Sequence, residues 1–171
     1  METIDTLYFG DVASKIAHAY RLFRDYGRRL LGNPQVTQGV KELKRLGDRL
    51  NGVMHSLGMP EQCSHCGDAF NGGCCSGEMA GETDALLLLI NLLAGGGVQE
   101  QERDGFECRF LGINGCVLRF KPFLCLNYIC RKMRDGQDPE QRKALADATA
   151  ALLSQIVTLE GLILQELGRG Q

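Results

Sequence analysis

The chain contains no tryptophan, and only 6% of its residues are aromatic. A nucleic-acid surface built on stacking rings is therefore not expected. The start, METIDTLYFGDV, lacks the basic residues and apolar stretch of a secretory leader. The longest apolar run, Ala85 to Leu93, is interrupted by Asn91 and is about half the ~20 residues of a membrane-spanning helix. Charge of one sign is also missing, since 19 basic and 21 acidic residues leave a net charge of −2. No broad field attracts a polyanion. These absences lead us to expect a soluble, cytoplasmic protein without a membrane or nucleic-acid partner. No paired carboxylates, activated serine or histidine-rich cluster suggests hydrolytic chemistry, and Gly95-Gly96-Gly97 is not a phosphate-binding fingerprint.

Cysteine is absent before Cys63 and after Cys130, yet eight cysteines lie between them. In a reducing cytosol, so many thiols point to metal ligation before disulfides.

The flanks carry helical patterns. Apolar residues recur at Val12, Ile16, Ala19, Phe23 and Leu30 until Gly32-Asn33-Pro34. Val36, Val40, Leu43, Leu50, Val53 and Leu57 continue the spacing to Gly58 and Pro60, which predicts an αα-hairpin over 1–60. Asp138 is placed to cap a helix with Pro139 first and Gln141 in the capping-box position. Leu145, Ala148, Leu152, Ile156, Leu159 and Ile163 line one face of that helix, which runs over 138–168. Such stripes normally bury against neighbouring helices.

The middle, 61–134, has another texture. Residues 67–81 are rich in glycine (Gly67, Gly72, Gly73, Gly77, Gly81), which predicts a loop shaped around a centre. Thr83 to Leu93 reads as a short buried helix ended by the glycine triplet. Phe106 to Phe120 reads as a β-hairpin turning at Asn114-Gly115, and Pro122 as the start of a short helix running to Met133. The expected fold is one mainly α domain, 1–171. Its helical flanks pack around a cysteine-rich middle with one small β-hairpin.

The cysteines fall in two groups. The first is Cys63-Ser-His-Cys66, then Cys74-Cys75 after seven intervening residues. Two cysteines separated by two residues turn both sulfurs to one ion, as structural zinc and iron–sulfur sites require. Thiol redox motifs share the spacing, but here a glycine-rich loop follows, not the expected helix. His65, between the pair, is a candidate nitrogen ligand, although an exposed position there is the ordinary one. The second group is Cys108, Cys116, Cys125 and Cys130. Cys125 and Cys130 are about 140° apart on an ideal helix, so within one continuous helix they serve one ion poorly. From Cys108 to Arg134 the chain has Arg109, Arg119, Lys121, Arg131, Lys132 and Arg134 and no acid. That run reads equally well as a solvated basic face and as a counter-charge for thiolates.

This ordered set resembles the zinc- or iron-chelating cysteine-cluster proteins of the CxxCxxCC type, also called YkgJ-like. Cys63, Cys66, Cys74-Cys75, Cys108, Gly115-Cys116, Lys121-Pro122-Phe-Leu-Cys125 and Tyr128 match its pattern, over about residues 63–130. The spacer before the double cysteine is longer than usual, and Lys121 stands where the family has arginine. The resemblance implies a zinc ion or an iron–sulfur cluster held by Cys63, Cys66, Cys74, Cys75, Cys108, Cys116, Cys125 and Cys130. Flagellin lysine N-methylase-like members imply that some relatives are iron–sulfur enzymes. Redox or methyl-transfer catalysis and a thiol switch stand beside simple metal binding as readings of the same residues.

Overall fold

A computed structural model describes residues 4–62, 75–98, 108–112, 115–127 and 136–169. The protein is mainly α with one two-stranded antiparallel ribbon among these residues.

Helix α1 (Ile4–Tyr8) is a single short turn of chain ahead of the predicted hairpin. Asp11 then starts α2 (Val12–Gly32), its carboxylate accepting the Ser14 amide at 2.7 Å. Asn33 ends one helix and begins the next. Its backbone N–H donates to Leu30, and its side chain accepts the Gln35 amide at 2.8 Å, opening α3 (Pro34–Ser56) with proline in the first turn. Proline suits that position because its missing N–H has no partner to lose. Two long helices joined at Asn33 therefore occupy the span read from the apolar spacing.

The glycine-rich segment is not wholly a loop. Its end forms α4 (Gly77–Gly81), with Ala80 buried, while residues 67–74 lie outside the described residues. Asp84 caps α5 (Ala85–Leu93), accepting the Leu87 amide at 2.7 Å, so the helix begins two residues later than expected. All its residues but Leu92 are buried. The glycine triplet ends it: Gly95, at φ +78°, and Gly96 donate their amides to Leu92 and Asn91, the positive-φ termination glycine adopts without steric cost.

The expected hairpin is real but shorter. Strand β1 (Leu111–Gly112) pairs with β2 (Gly115–Cys116), in the register Leu111↔Cys116 and Gly112↔Gly115. Residues 113–114 connect the strands, so Gly115 belongs to the second strand instead of the turn. Two contacts limit the ribbon. The Leu111 amide folds back onto the Cys108 carbonyl at 2.9 Å, and Phe120 is drawn away to Asn91. The helix after Pro122, α6, covers Phe123–Asn127; the rest of its expected length, to Met133, lies outside the described residues.

Helix α7 (Pro139–Gly168) carries the predicted capping box, with Asp138 accepting the Gln141 amide and Gln141 accepting the Asp138 amide. Leu145, Ala148, Leu152, Ile156, Leu159 and Ile163 are all buried. By length and composition α7 also qualifies as a membrane span, but its buried face lies mainly along α3. Close approach there depends on Gly39: a Cβ at that position would lie 3.0 Å from the Leu159 methyl.

Two apolar clusters result. The larger joins α2, α3, α5 and α7. The smaller lies under the cysteines, where Ala19, Leu88 and Val98 meet Cys108, Phe110, Leu111 and Leu118.

Candidate metal centre

Four of the eight candidate ligands, Cys75, Cys108, Cys116 and Cys125, are among the described residues. Cys63, Cys66, Cys74 and Cys130 lie outside them, as do His65, Tyr128, Arg131, Lys132 and Arg134.

Each described cysteine arrives on a separate element. Cys75 immediately precedes the turn into α4, and its carbonyl accepts the Cys108 amide at 2.8 Å. That bond ties the first cysteine group to the second across more than thirty residues of sequence. Cys108 is buried and heads the reverse turn that starts the ribbon. Cys116 lies in β2 opposite Leu111, and the next amide, of Val117, bonds to the Phe110 carbonyl at 2.8 Å. Cys125 sits in α6. Among the described residues, Cys108, Cys116 and Cys125 form no disulfide.

The position of Cys125 relative to the ribbon is set by Asn91. This side chain, 0% exposed, donates from Nδ2 to the Phe120 carbonyl and accepts the Phe120 amide at Oδ1, both at 3.0 Å. Its second Nδ2 bond goes to Leu87 on its own helix at 2.9 Å. The amide thus acts as a one-residue strand edge for the segment joining Cys116 to Cys125. A buried polar side chain is tolerated because its hydrogen-bonding groups are occupied. The sequence signal was the one polar residue in the apolar run; its partner is not readable there. Phe120 is also seated against α3. A Cβ at Gly47 would come within 3.0 Å of the phenyl Cε1.

The thiols affect one another electrostatically. Burial pushes the Cys125 thiol up to about 12, and negative charge on Cys116 and Cys108 pushes in the same direction. Lys121 opposes this shift, whereas Glu82 adds to it. Cys116 is raised by burial, with Lys121 and the Leu118 amide pulling it down and Cys108 pushing it up. Cys108 is raised by burial against a hydrogen bond from the Phe110 amide. Three thiols from three elements therefore lie within mutual electrostatic reach, beside one cation. Among the described residues, however, no three histidine, cysteine, aspartate or glutamate side chains are grouped to hold one metal ion.

The basic run divides. Lys121 faces Cys116 and Cys125, as a counter-charge would. Arg119 instead bridges to Asp48 on α3 at 2.6 Å, a partly exposed pair contributing about 0–1 kcal/mol. Arg109 is exposed and lies near Asp11 at the start of α2. The described part of the acid-free run is therefore not one surface.

The chain matches no family model, no curated protein and no solved structure.

Thiol donors on turns and short elements suit a soft metal centre. Their thiolates are the ligands zinc and iron–sulfur clusters take. As neutral buried thiols they are also poor nucleophiles, because the thiolate is the reactive form.

Proposed function

We propose that this protein binds metal, holding zinc or an iron–sulfur cluster through the cysteines between Cys63 and Cys130. The observations that support the reading are the electrostatic influence of Cys108, Cys116 and Cys125 on one another beside Lys121, and the backbone hydrogen bond that ties Cys75 to Cys108. Among the described residues Cys108, Cys116 and Cys125 are not disulfide-bonded, and a metal would give them a common partner. Metal binding replaces their protons, so the centre's positive charge offsets the burial, and at Cys116 and Cys125 the neighbouring negative charge, that otherwise keeps them protonated.

In this reading Cys63 and Cys66 supply the paired ligands, with Cys74, Cys75, Cys108, Cys116, Cys125 and Cys130 the remaining candidates. The resemblance to YkgJ-like cysteine-cluster proteins supports the same set. A reducing compartment, the cytoplasm, fits thiol ligands. The elevated thiols at Cys116 and Cys125 weigh against a switch that depends on rapid thiol oxidation. An iron–sulfur enzyme is the second reading and rests on the resemblance.

Anaerobic purification with elemental analysis and a visible spectrum tests the proposal. Brown protein with iron and sulfide identifies a cluster, and colourless protein with stoichiometric zinc identifies a zinc centre. Protein purified anaerobically with neither metal, and taking up neither on reconstitution, overturns metal binding.

A further inference from the structure

Helix α4 has little to hold it in place by itself. Five residues are too few for a helix to be stable alone, and Ser76 makes no side-chain cap at its start. Its exit is weak too, since the Glu82 and Thr83 amides reach back to Met79 and Ala80 over 3.3 and 3.4 Å. Thr83 is buried, its hydroxyl without a hydrogen-bond partner among the described residues. Yet this segment leads directly from Cys75 to the cap of α5 at Asp84. Where α4 is seated therefore fixes where Cys75 lies.

Three contacts seat it. Ala80, 0% exposed, enters the smaller apolar cluster with Ala19 and Cys108, against which Cys75 and Cys116 also pack. Ahead of the helix, the Cys75 carbonyl accepts the Cys108 amide at 2.8 Å. At its far end, the Gly81 carbonyl accepts a hydrogen bond from the Lys15 ammonium of α2, also at 2.8 Å. Gly81 is the last residue of α4, where carbonyls have no partner within the helix. A lysine donor suits that end.

Lys15 is only 5% exposed. Val12 and Ala19 share its face of α2, one turn to either side, and both belong to the apolar cluster under the cysteines. An ammonium withdrawn from water is costly, and an apolar side chain of similar length packs in such a place as well or better. Packing alone gives no reason for a lysine. What an apolar side chain cannot do is donate to Gly81.

We propose that Lys15 is a positioning residue of the cysteine centre: its ammonium, bound to the Gly81 carbonyl, holds α4 on α2 and so keeps Cys75 beside Cys108. The role rests on the metal-binding function proposed for the cysteines. Lys15 acts on the centre through the backbone between Gly81 and Cys75, not as a ligand.

The test compares full-length wild type, Lys15→Met and Lys15→Arg, each prepared anaerobically. Methionine keeps the length and loses the donor, whereas arginine keeps a charged donor. Amide exchange is followed at Cys108 and along α7 in the metal-free protein, and cobalt(II) uptake through its thiolate absorption bands. In Lys15→Met the Cys108 amide is expected to exchange about tenfold faster, the effect of losing one hydrogen bond to a charged group. Protection along α7 and the denaturant midpoint are expected to be kept or raised. Cobalt affinity is expected to fall about tenfold, and Lys15→Arg to restore both properties.

Cobalt uptake by wild type with equal affinity in Lys15→Met overturns the role of Lys15 alone. No uptake by wild type overturns metal binding, and the role of Lys15 falls with it. Equal loss of protection at Cys108 and along α7 makes Lys15 a general stabiliser and overturns the proposal. If Lys15→Met does not fold, the wild-type ammonium decides. Its NMR signal is expected to exchange slowly with water, and exchange as fast as that of the exposed Lys143 overturns the tether.

Discussion

Asn91 and Phe120 are joined by two reciprocal hydrogen bonds, amide to carbonyl in each direction, both at 3.0 Å. The first lies in the most apolar helix of the protein, and the second in the strap between two cysteines. The pair links the hydrophobic core directly to the candidate centre, so alterations in α5 are expected to be felt at the cysteines.

Replacing Asn91 with Leu preserves the apolar character of α5 but leaves the Phe120 amide and carbonyl unpaired in the interior. Each unpaired buried group costs about 1–3 kcal/mol. We expect a loss of about 3 kcal/mol in denaturant unfolding, together with a lower metal content in the folded fraction. Wild-type metal content in folded Asn91→Leu protein would show that the strap does not position the centre.

Two glycines of α3 offer a matched comparison. At Gly47 an added methyl meets the Phe120 ring at 3.0 Å, whereas at Gly52 nothing lies within 4 Å. Alanine improves helix propensity by about 1 kcal/mol at either place. Overpacking against the ring costs about 1–3 kcal/mol. Gly52→Ala is therefore expected to stabilise the protein by about 1 kcal/mol, and Gly47→Ala to be neutral or destabilising. Thermal unfolding of the two variants side by side measures the difference.

Lys121 is expected to set the pH at which metal is taken up. Its charge lowers both Cys116 and Cys125 against the upward push of burial. Removing it raises both thiols further, and because ligation needs thiolates, the midpoint of uptake moves to higher pH. Cobalt(II), followed by its thiolate absorption bands, reports this midpoint in wild type and Lys121→Gln. Lys121→Arg is expected to restore it, and an unmoved midpoint in the glutamine variant would remove Lys121 from the centre.

Substituting the paired cysteines tests the ligand assignment directly. Cys63→Ser and Cys66→Ser are each expected to abolish or strongly reduce bound metal while the α3–α7 packing persists, because that interface lies in the larger core, apart from the cysteines. Metal analysis and helical circular dichroism check the two halves. Full metal occupancy in both variants would exclude the pair as ligands.

The helices were legible because their signals are local. Apolar spacing, the Asn33-Pro34 junction and the Asp138-Pro139-Gln141 capping box act within a few residues, and the structure follows them nearly residue for residue. The ribbon was legible only as a hairpin. Its extent depends on the Cys108 turn and on Asn91, which lies far from it in sequence. How the described basic residues divide was not legible for a similar reason. Arg119 and Lys121 are two positions apart, yet one reaches Asp48 on α3 and the other faces the thiols.

By itself, the sequence determined which segments become the long helices, which faces they bury and which residues are chemically able to bind a soft metal. Those properties follow from side-chain type and from backbone geometry repeated over short distances. Tertiary structure decided that Cys75 meets Cys108, that Asn91 holds Phe120, and that Lys15 reaches Gly81. Each of those pairings joins residues about thirty or more positions apart. Such contacts form only when independently folded elements pack, because no local periodicity specifies which distant partner satisfies a buried polar group.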